Sequence, residues 1–236
     1  MTSIVEPQSA VVIGTQTASA RRRRRNARGQ GARLADDILS GAVALIERTG
    51  SDESVTLRAV AREIGIAAPS IYAHFADRDA IILAVVGRVF DELTEAIEHG
   101  TAAAGNDPVD RLIAGTEAYV AYGMEHPARY GVLFSERRAA ANVYCEPDET
   151  GPILIGPGDR PLLRVGAEAF SLLMTGIEGC VQAGLSASTD VRASATALWV
   201  ALHGLVSLRT TLPAFPWPEP THLTRDVVLS LAKITR

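Results

Sequence analysis

The sequence predicts an all-α protein, and three observations carry that expectation. Apolar residues recur at helical spacing, alanine and leucine abound, and no period-2 run of β-branched residues stands out. A length of 236 residues, 47% of them apolar, gives room for a small N-terminal unit joined to one larger domain with a continuous core. About nine or ten helices and no strands are expected.

The elements follow in order. Residues 1–30 are rich in small, polar and basic types without helical period, and read as a mobile tail. Leu34, Ile38, Ala42, Leu45 and Ile46 form one apolar stripe, which Gly50 ends. Thr56 suits the N-cap of a short second helix carrying Leu57, Val60, Ala61 and Ile64. Gly65 supplies a tight turn, and Pro69 suits the first turn of a third short helix, where no N–H partner is needed. Asp77 can cap a long helix from Asp79 to about His99. After the break at 105–108, a helix from Val109 to Glu125 closes at His126-Pro127, because proline disfavours helix in the residue before it. A short helix over 128–135 comes next, then a long Pro- and Gly-rich loop over 141–160. Helices near 161–182 and 190–210, a proline-rich hinge at 213–218 and a last helix over 223–234 complete the chain. The expected division is a flexible basic arm (1–30), a three-helix unit (31–78) and a helical domain (79–236).

Charge is unevenly spread. The net charge is −4, yet residues 21–33 hold seven arginines and no acid, so the remainder sums to −11. A basic arm on an acidic body suits one localised contact with a polyanion. Arg21, Arg22, Arg23, Arg24, Arg25 and Arg28 form the run; no apolar stretch follows them, as a secretory or twin-arginine signal would need. Two cysteines make no disulfide framework, so a reduced, cytoplasmic setting is expected. Uninterrupted apolar runs such as 81–86 fall far short of the roughly 20 residues that span a bilayer, so no membrane is expected as a partner.

Function concentrates between Thr56 and Phe75. Two short helices joined by a glycine turn set the second across the first, exposed enough to enter a DNA major groove. Ser70, Tyr72 and His74 would face outward as small or flat hydrogen-bonding groups suited to base edges and phosphates. A helix pair of this kind also occurs in plain three-helix packing. The order of residues is more telling. The string Val-Thr-Leu-Arg-Ala-Val-Ala-Arg-Glu-Ile-Gly-Ile, then Ser-Ile-Tyr-Ala-His-Phe, then Arg-Asp-Ala-Ile-Ile resembles the N-terminal domain of TetR-family repressors over residues 32–91. The resemblance implies that Thr56, Arg58, Tyr72, His74 and Arg78 touch phosphates or cap helices. It also implies that Ala68, Pro69 and Ser70 face bases, and that Ile71 and Phe75 are core. Ala67 departs from it, standing where the family has a Ser or Thr cap; such a loss costs about 1 kcal/mol. Beside such a unit the arginine run reads as an arm for the minor groove, the alternative being a solvated charge cluster.

A second resemblance lies near the C-terminus. Trp199-Val200-Ala201-Leu202-His203-Gly204 and the earlier His126-Pro127-Ala128-Arg129-Tyr130-Gly131 resemble a class of TetR C-terminal domains named for its Trp, His and Gly. It implies a homodimer formed by the last two long helices, with the small-residue stripe Ala193, Ala197, Ala201 and Gly204 allowing close approach. Ordinary intrachain packing is the alternative for each. It also implies a small-molecule effector, for which Tyr119, Tyr122, Phe134, Phe170, Met174 and Trp199 are candidate pocket residues. His203, alone on an apolar helix, reads as a hydrogen-bonded core residue. No metal-ligand spacing, nucleophile elbow or phosphate loop is found, so no catalytic residues, metal or cofactor are expected. The expected function is a DNA-binding transcriptional regulator, a repressor that leaves its operator in double-stranded DNA when the effector binds. Two rivals remain: an activator or ligand-free regulator, and a helical interaction protein with a relic helix-turn-helix.

Overall fold

The protein is described from a computed structural model, covering residues 30–135, 143–144, 153–155, 161–163 and 166–235. Among the described residues, five α-helices start where a side chain takes up a free backbone N–H. Thr56 caps α2 (Leu57–Glu63), Asp77 caps α3 (Arg78–Ala103) and Asp107 caps α4 (Pro108–Glu125). Asp190 and Glu219 do the same for α7 (Val191–Thr211) and α8 (Pro220–Leu231). The other α-helices among the described residues are α1 (Gln30–Thr49), α5 (Pro127–Leu133) and α6 (Ala167–Gln182).

Glycine sets the sharpest turn of the N-terminal unit. Gly65 sits at φ +70°, and the N–H of Ile66 reaches back 2.9 Å to the carbonyl of Ala61, closing α2 with a left-handed cap. The next segment, Ala68–Ala73, coils as a 3-10 helix. Ala67 offers it no side-chain cap and Pro69 brings no N–H, so a tight single stretch forms in place of an α-helix.

Several boundaries move from their expected places. α1 starts four residues before Leu34, and α3 runs past His99 to Ala103. The expectation of a strandless loop over 141–160 and a helix from Pro161 is corrected. β1 (Val143–Tyr144), β2 (Ile153–Ile155) and β3 (Pro161–Leu163) form a small antiparallel sheet in the order β1-β2-β3, pairing Tyr144 with Ile153 and Ile153 with Leu163. Runs of two or three β-branched, aromatic or leucine residues between prolines and glycines are too short to show alternation in sequence. Gly166, at φ +94°, then opens α6. The fold class remains all-α, with this sheet as an insertion.

One apolar core runs through the protein. Ile38, Ala42 and Ile46 of α1 meet Val60 of α2, Ile71, and Ile81 and Val85 of α3. The core continues through Leu93, Leu112 and Val120 to Ile177, Leu198, Val206 and Val228. α4 lies at its centre and is approached closely on several sides. A Cβ at Gly100 of α3 would fall 2.8 Å from Ala118, one at Gly115 2.5 Å from Thr101, one at Gly123 2.6 Å from Val206, and one at Gly176 2.9 Å from Leu112. Arg129 of α5 binds Glu47 of α1 at 2.7 Å and Glu92 of α3 at 2.8 Å, fastening the N-terminal unit to the body.

Candidate nucleic-acid interface and ligand cavity

The N-terminal unit presents one polar face. Pro69, Ser70 and Tyr72 are exposed, Tyr72 by 63%, while Ala68 and His74 are half-buried and Ile71 is fully buried in the core. Alternate sides of the 3-10 segment thus separate what anchors it from what it offers. Thr56 is exposed, with its hydroxyl oxygen accepting from the N–H of Ala59 at 3.1 Å. Arg58 is exposed on α2, and Arg62, four residues on, shares its side of the helix. Arg62 was not among the residues expected from sequence; its i+4 spacing from Arg58 is the signal that could have found it.

Arg78 is engaged within the chain. Its Nε donates to the carbonyl of Val55 at 2.9 Å, Nη2 to the carbonyl of Asp52 at 2.7 Å, and Nη1 to Asp79 Oδ1 at 3.2 Å. It ties the start of α3 to the turn that leads into α2, and so holds the angle between them. Arg21, Arg22, Arg23, Arg24, Arg25 and Arg28 lie outside the described residues.

The C-terminal domain holds a cavity of about 1010 Å³ that is partly open to the surface. On α4 it is lined by Pro108, Arg111, Leu112, Gly115, Thr116 and Tyr119, a spacing of three and four that marks one helix face about 16 Å long. Arg192, Thr196, Trp199 and Leu202 line it along α7 in the same way. Its two ends differ. Glu98, Thr101, Asn106, Arg111 and Arg192 give one end polar chemistry, whereas Phe90, Phe134, Phe170, Trp199 and Tyr119 give the other an aromatic wall. Phe134 touches Trp199 and Phe90 at ring-centre separations of 6.3 and 6.2 Å, and Phe170 reaches Trp199 at 6.2 Å.

Of the six expected pocket residues, Tyr119, Phe134, Phe170, Met174 and Trp199 are brought together here. Tyr122 is not among the lining; its hydroxyl donates to Glu92 Oε2 at 3.0 Å, and burial with that carboxylate pushes its pKa up. The polar end was missed from sequence. Arg111 and Arg192 sit near helix starts, where an arginine most often reads as surface.

Behind the aromatic wall runs a chain of polar groups. The hydroxyls of Tyr119 and Tyr130 lie 2.6 Å apart, Tyr130 Oη is 2.8 Å from His203 Nδ1, and His203 Nε2 is 3.4 Å from Ser207 Oγ. Burial pushes the Tyr119 phenol up to about 12, against hydrogen bonds from Tyr130 and Trp199 that pull it down. Burial likewise raises Tyr130, and lowers His203 towards its neutral form. Among the described residues no group of three His, Cys, Asp or Glu is placed to hold a metal ion.

A helix-turn-helix unit seated on a helical domain defines the architecture of a helix-turn-helix transcription regulator. Residues 38–85 match the family described as bacterial regulatory proteins, tetR family, and residues 112–230 match the tetracyclin repressor-like C-terminal domain. The chain belongs to the TetR family. It is 32% identical over 98 residues, 42% of its length, to an uncharacterized HTH-type transcriptional regulator of Mycobacterium tuberculosis, of which the match spans 44%. In fold it is similar to a protein of unknown function from Rhodococcus sp. RHA1, with TM-score 0.68 and 20% identity over 86% of this chain and 96% of that one. It is also similar to a TetR family transcription regulator from Marinobacter aquaeolei VT8, with TM-score 0.59 and 16% identity over 86% and 96% of the two chains.

Proposed function

We propose that this protein is a homodimeric repressor that releases its operator when a small molecule enters the cavity of the C-terminal domain. The observation that carries this reading is the pairing of an exposed reading segment, Pro69 to Tyr72, with a 1010 Å³ cavity in one continuous core. Ser70, with Ala68 and Pro69, is assigned to base edges, and Tyr72, His74, Thr56 and Arg58 to phosphates. Arg78 contributes by fixing the turn before α2, through the bonds to Val55 and Asp52. The arginine run 21–25 with Arg28 is assigned to the minor groove flanking the major-groove site. A cytoplasmic setting goes with this role.

Dimer formation is assigned to α7. By length and composition that helix is apolar enough to cross a bilayer, yet its outer face holds Val200 at 59% exposure and Leu208 at 49%, beside the small residues Ala193, Ala197 and Gly204, with exposed Leu212 just past its end. A second copy of α7 would cover that stripe, and a Cβ at Gly204 meets nothing within 4 Å in the single chain.

Selecting DNA fragments with the purified protein, then titrating the selected site against salt, tests the DNA half. Affinity should fall steeply on a log–log plot, since each arginine on a phosphate releases counterions. Tyr72→Ala should weaken every sequence alike, whereas Ser70→Ala should shift preference by about 1 kcal/mol between sites. A flat salt response refutes DNA binding, and the reverse mutational pattern means the segment is rotated from this placement.

A further inference from the structure

The Tyr119–Tyr130–His203–Ser207 chain has two self-consistent states, and they differ at the cavity. A hydroxyl has one proton to give, and a neutral imidazole donates from one nitrogen and accepts at the other. In the inward state Tyr119 donates to Tyr130, Tyr130 donates to His203 Nδ1, and His203 Nε2–H points at Ser207. In the outward state His203 Nδ1–H donates to Tyr130, Tyr130 donates to Tyr119, and the Tyr119 proton is free for a partner in the cavity. Both use the same heavy-atom positions, at 2.6, 2.8 and 3.4 Å. No net proton is gained or lost between them: the hydroxyls of Tyr119, Tyr130 and Ser207 rotate, and half-buried His203 gives up the Nε2 proton to water and takes one from water at Nδ1.

Of these four residues, Tyr119 lines the cavity, and Tyr130, His203 and Ser207 do not. Phe134, Leu133 and Leu202, which line the cavity with it, bring no acceptor, and the Trp199 N–H can only donate to the Tyr119 oxygen, which both states allow. With no acceptor in the cavity the inward state satisfies every donor. An acceptor oxygen beside Tyr119 reverses the balance, because a buried oxygen without a donor is costly. The last link lies on α7, where Ser207 is half-buried one turn after His203.

We propose that Tyr119 is a switchable hydrogen-bond donor, so that the cavity takes an elongated apolar molecule with an oxygen acceptor at its inner end, and that binding reverses the chain as far as Ser207. This rests on the reading of the cavity as the effector site. The class it names is narrower than apolar molecules in general: ketones, esters, quinones and like carbonyl compounds, as against hydrocarbons of the same shape.

A matched probe pair tests it, 2-acetylnaphthalene against 2-ethylnaphthalene, each titrated into the full-length protein by calorimetry. Tyr119→Phe should weaken the ketone about tenfold and leave the hydrocarbon unchanged, the loss expected for one buried hydrogen bond. Tyr130→Phe removes the inward acceptor and leaves the Tyr119 proton for the cavity, so ketone affinity should hold or rise. A purely structural tyrosine pair would instead lose affinity for both probes in both variants, and that result overturns the proposal. Ring-nitrogen NMR of His203 gives an independent readout. The ketone should move its proton from Nε2 to Nδ1 and the hydrocarbon should not; an unmoved proton with the ketone bound also overturns it. If neither probe binds the unchanged protein, the cavity reading itself fails, an outcome distinct from equal binding that ignores Tyr119.

Discussion

The N-terminal unit and the C-terminal domain use opposite packing strategies. Around Ile71 every side is filled: Ile38, Ile46, Val60 and Ile81 are each 1% exposed or less, and Arg78 fastens the turn between them. Around Met174 the same kinds of side chain line about 1010 Å³ of open space. A reading head must hold side chains to within a fraction of an ångström of bases and phosphates, so it is rigid. A sensing domain needs room, and forgoes packing to have it. The difference teaches that apolar content alone does not distinguish core from pocket; what distinguishes them is whether a second layer of side chains meets the first.

Truncation offers the most direct way to break this contrast. Ile71→Ala should destabilise the protein by about 3 kcal/mol, the usual cost of emptying a filled core site. Met174→Ala should cost about 1 kcal/mol or less, since one side of Met174 already lacks partner atoms. Thermal or denaturant melts measure both. Equal losses would mean that the cavity is collapsed in solution and the two regions are packed alike.

The dimer face sharpens the comparison next. Gly204→Leu adds bulk where the single chain leaves open space, so monomer folding should change little. Two copies meeting across a twofold axis would each carry the clash, weakening dimerisation by about 1–3 kcal/mol and operator binding with it. Light scattering at several concentrations decides this; a variant that stays dimeric moves the interface off α7.

The smallest effect expected is on pH. Burial holds His203 below its ordinary value, so the unfolded chain takes up a proton at about 6.5 and the folded chain only lower. Its contribution to stability is therefore fully present above about 6.5 and declines as pH falls towards the folded value. Melts between roughly pH 7.5 and 5.5 should show the decline, and His203→Gln should flatten it. A slope unchanged in that variant would mean that His203 does not carry it.

Much of the first region was legible in sequence because local chemistry determines it. Thr56, Gly65 and Asp77 each do one thing that their neighbours do not compete with: cap, turn, cap. The 3-10 coil at 68–73 was less so, since Ala67 and Pro69 weaken an α-helix by omission. In the second region periodicity locates a face but not what lies opposite it. Tyr119 and Tyr122 are three residues apart on α4, and nothing local tells that one lines the cavity while the other binds Glu92. Phe90, Leu93 and Leu112 read as core for the same reason, and line the cavity. The sheet at 143–163 went unseen because strands of two or three residues carry no period.

The close approaches on α4 have a mechanical consequence. With backbone rather than side chain at Gly115 and Gly123, and at Gly100 and Gly176 opposite it, α4 lies close against α3, α6 and α7. It acts as a strut. From Gly123 α4 runs on to Glu125 and, through His126-Pro127, the chain enters α5. There Arg129 grips Glu47 of α1, so the end of this closely approached helix is tied to the base of the N-terminal unit.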